Sequence, residues 1–173
     1  MKTALITGST RGIGWALGLE LLSRGCEVVF NYAKDEDGAL QLRAELEGLG
    51  YGARCQIIRA GLSSLAGAHS LVEEMNPRFK RLDYLVLNAG TTWRGSLADL
   101  KIQDWEQVMN TNVTVPLFLT QMCAPRMAQG GCILFIGSIL GQYPHALPIP
   151  YGTSKAAVYY LAEGEAGRDP RLH

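Results

Sequence analysis

At 173 residues the chain is the size of one domain, long enough to bury about 70% of the surface its unfolded form exposes. Sixteen basic side chains balance sixteen acidic ones, so no global field recruits nucleic acid or an anionic membrane surface. The apolar share is 47% and the charged share 18%, below the figure of about 25% usual in soluble domains, which fits extensive burial, including burial between subunits.

Cys26, Cys55, Cys123 and Cys132 are dispersed among apolar runs, with no pair at the spacing of a zinc knuckle or a CxxC motif. They read as reduced, buried thiols of an intracellular protein, and no metal site is expected. The opening MKTALITGS leads directly into a strand without the pattern of a signal peptide. No apolar stretch reaches the roughly 18 residues of a membrane span. The expectation is a cytoplasmic protein that engages neither membrane nor nucleic acid.

The spacing of apolar residues predicts alternating strands and helices. TALIT at 3–7 is a strand, followed by a glycine-rich turn and a helix from Ile13 to Leu22. EVVFNY at 27–32 is a second strand, ALQLRAELEGL at 39–49 a helix, RCQII at 54–58 a third strand and SLAGAHSLVEEM at 64–75 a helix. LDYLVLNAG at 82–90 is a fourth strand, and a long helical stretch covers about 102–127, with Pro116 and Pro125 as kinks or a break. CILFIGS at 132–138 is a fifth strand, and a last helix begins at Tyr151. The strands are almost continuously apolar, as they must be when helices cover both faces. The repeated β-α unit with right-handed crossovers predicts a doubly wound parallel sheet of the α/β class, a Rossmann-like three-layer α/β/α domain. That domain is expected to span 1–163, and the polar, breaker-rich GEAGRDPRLH at 164–173 reads as an atypical tail.

Between the first strand and first helix runs TGSTRGIG, Thr7 to Gly14. A helix N-terminus at the strand ends points free N–H groups at whatever fills the crevice, which suits a phosphate. Gly8 serves the tight turn, Gly12 lets the backbone approach a pyrophosphate, and Gly14 allows close helix–strand contact. The alternative is an ordinary βα loop, since the spacing is not GxGxxG. A fold selecting NAD(H) places a carboxylate at the end of the second strand. Here that strand ends Asn31-Tyr32-Ala33-Lys34, with no acid until Asp35, while Arg11 in the turn can pair with a 2′-phosphate and Lys34 adds charge. NADP(H) is therefore expected over NAD(H), unless these are merely solvated surface cations.

Downstream, NAG at 88–90 ends the fourth strand, Asn112 sits in NTNV on the long helix, and Ser138 closes the fifth strand. Tyr151 and Lys155 stand at i and i+4, on one helical face. In order and spacing, TGxxxGxG, NAG, the helix asparagine, the serine and YxxxK together resemble the short-chain dehydrogenase/reductase family, from Met1 to about Glu163. The neutral strand end and Arg11 resemble its NADPH-using 3-oxoacyl-[acyl-carrier-protein] reductase branch. The resemblance implies the strand order 3-2-1-4-5 and an enzyme that interconverts a small carbonyl substrate and a secondary alcohol. It assigns catalysis to Asn112, Ser138, Tyr151 and Lys155. It assigns the cofactor to Gly8, Ser9, Thr10, Arg11, Gly12, Ile13 and Gly14 of the turn, to Asn31, Tyr32 and Ala33, to Leu62, to Asn88, Ala89 and Gly90, and again to Tyr151 and Lys155. Chemistry agrees: reduction needs hydride on one face and a proton for the developing alkoxide. A lysine ammonium about 4 Å from a phenol, at an effective dielectric near 20, favours the phenolate by roughly 4 kcal/mol. The resemblance also implies that Lys155 holds the nicotinamide ribose, that Ser138 bonds the substrate oxygen and that Asn112 supports a water-borne proton relay. Structural alternatives are a strand-end cap for Ser138, a polar group at a helix kink for Asn112 and a packed aromatic for Tyr151.

Two departures from the pattern stand out. The acidic residue expected after the third strand to meet the adenine is replaced by Gly61, leaving backbone contacts at Leu62. The family also continues into a sixth strand, a nicotinamide-contacting loop, a substrate lid and a seventh strand, so the chain reads as truncated. Its fifth strand would then be a bare edge, prone to pairing. A homodimer or homotetramer is expected from the family's use of the long fourth helix and the YxxxK helix. A catalytically silent nucleotide-binding or assembly subunit is the competing reading. His145, in the loop between Ser138 and Tyr151, reads as solvated or as a substrate contact.

Overall fold

A computed structural model of the chain describes residues 1–75, 77–79, 81–144 and 148–166. Five strands, β1 (Thr3–Ile6), β2 (Glu27–Tyr32), β3 (Cys55–Arg59), β4 (Leu82–Leu87) and β5 (Met127–Phe135), form one parallel sheet in the order β3-β2-β1-β4-β5. Helices α1 (Gly12–Ser23), α2 (Glu36–Gly48) and α3 (Leu65–Glu74) make the crossovers in the first half. Helices α4 (Ile102–Met109), α5 (Val115–Cys123) and α6 (Ile149–Ala166) belong to the second. The doubly wound class and its strand order stand as expected.

Period-two alternation in the strands sorts side chains to two faces. Leu5, Val29, Ile58 and Leu85 pack with Ala68 and Leu71 of α3 and with Val115, Leu119 and Cys123 of α5. Ala4, Ile6, Val28 and Phe30 pack with Leu22 of α1 and with Leu42 and Leu46 of α2. Each sheet face thus buries its own apolar layer, which is why the strands read as continuous apolar runs. Burial in the first layer pushes the Cys123 thiol up to about 12, and all four cysteines are free. Among the described residues no helix is long and apolar enough to cross a membrane, and no cluster of His, Cys, Asp and Glu could hold a metal.

The break expected near Pro116 is present, while several boundaries differ from the sequence expectation. The long helix over 102–127 is interrupted by a π-helical turn, Asn110–Thr114, and ends at Cys123, followed by a 3-10 turn, Ala124–Arg126. Pro116 has no N–H for the carbonyl four residues back, so a regular α-helix cannot pass through without loss, and the widened turn absorbs the defect. Strand β5 begins at Met127, five residues ahead of Cys132, because a bulge containing Gly130 at φ +71° lets the chain re-enter the ladder. Helix α6 starts at Ile149 and continues beyond Glu163 to Ala166. The remainder of the expected tail, and His145, lie outside the described residues.

Helix α1 approaches β2 through Gly18, where an added Cβ would collide with the ring of fully buried Phe30. Gly18→Ala is expected to destabilise the protein by about 1–3 kcal/mol through overpacking, against a helix-propensity gain of at most about 1 kcal/mol. Urea unfolding of the two proteins checks the sign.

Candidate active site

The carboxyl edge of the sheet is tied together by side chains from the glycine turn. Thr7 Oγ1 donates to the Val86 carbonyl at 3.3 Å and accepts from the amides of Asn88 at 3.0 Å and Ala89 at 2.9 Å. Asn88 Nδ2 answers by donating to the carbonyls of Thr7 and Gly8, at 2.9 and 2.8 Å. On the other flank, Asn31 Oδ1 accepts from the Gly8 amide at 3.2 Å while its Nδ2 donates to the Ala60 carbonyl at 3.1 Å. Ser9 Oγ donates to the Ile6 carbonyl and accepts from the Asn31 amide, at 2.8 and 2.9 Å. Ser9, Thr10 and Asn31 are all buried. Of the residues expected to meet a cofactor, the side chains of Ser9, Asn31 and Asn88 therefore hold the turn in shape, as does Thr7, which the sequence reading left out.

The turn itself needs glycine. Gly8 and Gly12 have φ of +60° and +59°, and a Cβ on Gly8 would lie 2.9 Å from the Ala89 Cα. At the start of α1, Arg11 is in the N-cap position with extended backbone and no side-chain cap, and the first turn has no acid. By contrast Asp35 caps α2 and Ser64 caps α3. The first N–H groups of α1 are left without a side-chain acceptor, and the helix dipole adds partial positive charge there. Open space surrounds Gly12. An anion such as a pyrophosphate fits this end of the helix.

Beyond β2, Arg11, Ala33 and Lys34 are exposed and Tyr32 is half-buried. Asp35, four residues past Asn31, folds back so that its carboxylate accepts from Thr10 Oγ1 at 2.8 Å. That bond, with the Gly38 amide and the Arg11 guanidinium, holds its carboxyl below the usual range against the opposing effect of burial. Tyr32 donates to Glu36 at 2.8 Å, and Arg59 pairs with the same carboxylate at 2.9 Å. Leu62 buries its side chain in the core, so only its backbone can serve the crevice, and at Gly61 nothing replaces the missing acid.

A cavity of about 500 Å³ opens beside the turn, lined by Ile13, Asn88, Gly90, Thr91, Thr92, Arg94, Ile136, Gly137, Ser138, Leu140, Pro148, Tyr151 and Lys155. Ser138, Tyr151 and Lys155 thus face one space with parts of both the glycine turn and NAG. Lys155 is buried, donates to the Ile136 carbonyl at 2.6 Å and stands 5.7 Å from the centroid of the Tyr151 ring. Burial pushes its pKa down, because desolvation penalises the charged ammonium. Ser138 caps the short turn Ile139–Gly141, accepting from the Leu140 amide at 3.3 Å, and its carbonyl accepts from the Tyr159 hydroxyl at 3.2 Å. A smaller, apolar cavity of about 280 Å³ adjoins, sharing Leu140 and Pro148 as walls.

Asn112 is buried behind this cavity instead of lining it. Its Oδ1 accepts from the Thr91 amide at 2.8 Å, and its Nδ2 donates to the Thr91 carbonyl and Ser154 Oγ, both at 2.9 Å. Ser154 Oγ in turn donates to the Tyr151 carbonyl at 2.7 Å. The amide therefore locks the loop after β4 to the first turns of α6, fixing Tyr151 and Lys155 relative to Gly90. Thr91, Ser154 and Asp35 carried no local signal because they are engaged by Asn112 and Thr10, distant in sequence, and Thr92 and Arg94 join the site only through the cavity that folding encloses. Asn112→Ala is expected to cost about 1–3 kcal/mol by stranding buried partners. It should also speed hydrogen exchange at the Thr91 amide, read residue by residue by NMR.

Residues 2–167 match the family model described as short chain dehydrogenase. A 3-oxoacyl-[acyl-carrier-protein] reductase of rhamnolipid biosynthesis from Pseudomonas aeruginosa is 35% identical over 172 residues, covering 93% of this chain and 64% of that protein. A hydroxynaphthalene reductase from Aspergillus fumigatus is 33% identical, covering 91% of this chain and 57% of that protein. The chain therefore spans about three-fifths of the length of these curated relatives. Among solved structures, a short-chain dehydrogenase/reductase from Serratia marcescens superposes with a TM-score of 0.91 at 32% identity, over 99% of this chain and 70% of that one. A short chain dehydrogenase from Burkholderia cenocepacia in complex with NADP gives 0.88 at 35% identity, over 95% and 67%. With the fold, the glycine turn and a single family match running almost end to end, this chain belongs to the short chain dehydrogenase family.

Proposed function

We propose that the chain is the cofactor-binding and catalytic portion of an NADP(H)-dependent oxidoreductase that interconverts a carbonyl and a secondary alcohol. The observation that carries this reading is the shared cavity, in which Ser138, Tyr151 and Lys155 stand beside the uncapped end of α1. The glycine turn and that helix end would hold the pyrophosphate, with Arg11 and Lys34 toward a 2′-phosphate. When bound, the nicotinamide supplies or accepts the hydride. The Tyr151 hydroxyl gives its proton to the substrate oxygen as that oxygen gains negative charge, and Ser138 Oγ donates a hydrogen bond to the same oxygen. The Lys155 ammonium, held by the Ile136 carbonyl, stabilises the phenolate left behind and orients the ribose. Asn112 acts through position: its side chain is fully engaged, and a relay through it would run by its carbonyl, since Pro116 has no N–H to give that group.

The relatives support this reading. The Pseudomonas and Aspergillus relatives are named as reductases, and solved neighbours were crystallised with NADP or, for a blue fluorescent protein from a metagenomic library, NADPH. We further propose a homo-oligomer in the cytoplasm. Ile102 on α4, Phe118 on α5 and Tyr160 on α6 present apolar surface suited to pairing, and the four free thiols suit a reducing compartment.

Steady-state NADPH oxidation with a ketone panel is expected to show turnover that Tyr151→Phe lowers by at least about 10²-fold, the scale of a positioned general acid. Turnover untouched by that substitution, or none with any ketone, would overturn the catalytic reading. Cofactor preference is checked by fluorescence titration. NADPH is expected to bind more tightly than NADH, and Arg11→Ala should shrink the gap by about tenfold, the loss of one charge-assisted bond.

A further inference from the structure

Resting on the substrate side of that site, the geometry points to Arg94 as an anion-recognition residue, selecting a carbonyl substrate that carries a carboxylate or phosphoryl group. Arg94 lines the cavity with Ser138, Tyr151 and Lys155. Among the described residues no aspartate or glutamate lines it. The other cation among the described lining residues, Lys155, is buried and already donates to the Ile136 carbonyl. Arg94 is exposed and makes no ion pair or hydrogen bond among the described residues. A cavity whose described walls carry two cations, one of them without an acceptor among the described residues, is complementary to an anion, and a guanidinium offers the paired donors that match a carboxylate or phosphoryl group.

The loop also presents Arg94 in a set direction. Three residues earlier, Thr91 is pinned through both its amide and its carbonyl by Asn112. One residue either side, Trp93 lies over Gly95, so closely that a Cβ on Gly95 would meet the indole at 2.7 Å. Trp93 and Gly95 are half-buried while Thr92, Arg94 and Ser96 are exposed. This alternation turns Trp93 onto the protein and Arg94 away from it, at the cavity mouth. Part of the cost of ordering a long flexible side chain's backbone is thus met before ligand arrives.

The test uses three matched ketones: acetoacetate, its neutral methyl ester and 2-oxopropylphosphonate. Dissociation constants are read by saturation-transfer NMR on the whole chain with NADP+ present, at low salt. Both anions are expected to bind at least about tenfold more tightly than the ester, the scale of one charge-assisted pair at an exposed site. Arg94→Gln should abolish that gap and leave the ester's affinity unchanged, and Arg94→Lys should restore part of it. A tighter fit of acetoacetate assigns the site to carboxylates, and a tighter fit of the phosphonate assigns it to phosphoryl groups. Equal affinities in the parent protein, a gap that survives Arg94→Gln, or no binding of any ketone would overturn the proposal. Failure of the catalytic reading looks different: discrimination in binding would persist while NADPH oxidation stays absent with all three.

Discussion

The site depends on one cluster of hydrogen bonds at the carboxyl edge of the sheet, between Thr7 and Asn88. Beyond β1 and β4 the chain leaves in different directions, which is what opens a crevice in a doubly wound sheet. That divergence also strands backbone groups that the ladder would otherwise satisfy. Thr7 and Asn88 settle both problems, since five bonds between 2.8 and 3.3 Å pair the stranded groups and fix how far the two strand ends separate. Gly8 can approach Ala89 closely only because it has no side chain. The glycine turn, the start of α1 and the loop that begins at Gly90 all take their positions from this clamp.

Electrostatics then divides the crevice into regions. At one end is an uncapped helix with Arg11 beside it, but Asp35 and Glu36 lie close by. Both are engaged by the protein: Asp35 by Thr10 and Gly38, and Glu36, at the surface, by Tyr32 and Arg59. Arg11 itself stays exposed beside the helix end. At the other end, Lys155 keeps its ammonium out of water by donating to the Ile136 carbonyl, beside the Tyr151 ring. The desolvation that depresses its pKa also makes its charge act strongly on near neighbours, because few water dipoles remain to screen it.

Asn112 ties together two parts of that second region. Its amide spends every bond the structure records on Thr91 and Ser154, joining the loop that carries Thr92 and Arg94 to the helix that carries Tyr151 and Lys155. The π-helical turn that holds Asn112 accommodates Pro116 in mid-helix, and the asparagine is buried within it.

The sequence by itself determined the elements and the sheet class, and it pointed to Ser138, Tyr151 and Lys155, which share one cavity. Strand and helix periods are local, and the five apolar runs with their intervening helical stretches require no distant partner to be read. Tyr151 and Lys155 lie on one helical face by spacing alone, and the glycine positions announce a turn. What only the tertiary structure decided is how each polar side chain is used. Ser9, Asn31, Asn88 and Asn112 looked alike as polar residues at strand ends or on a helix, yet all four proved to be committed to holding the scaffold. The partners that commit them are 21 to 81 residues away. Thr7, Asp35 and Ser154 were unreadable for the same reason, since a hydroxyl or carboxylate acquires its role from what faces it across the fold. The break in the long helix was legible from Pro116, whereas the early start of β5 follows from a partner brought in by folding, the β4 ladder that accepts a bulged strand.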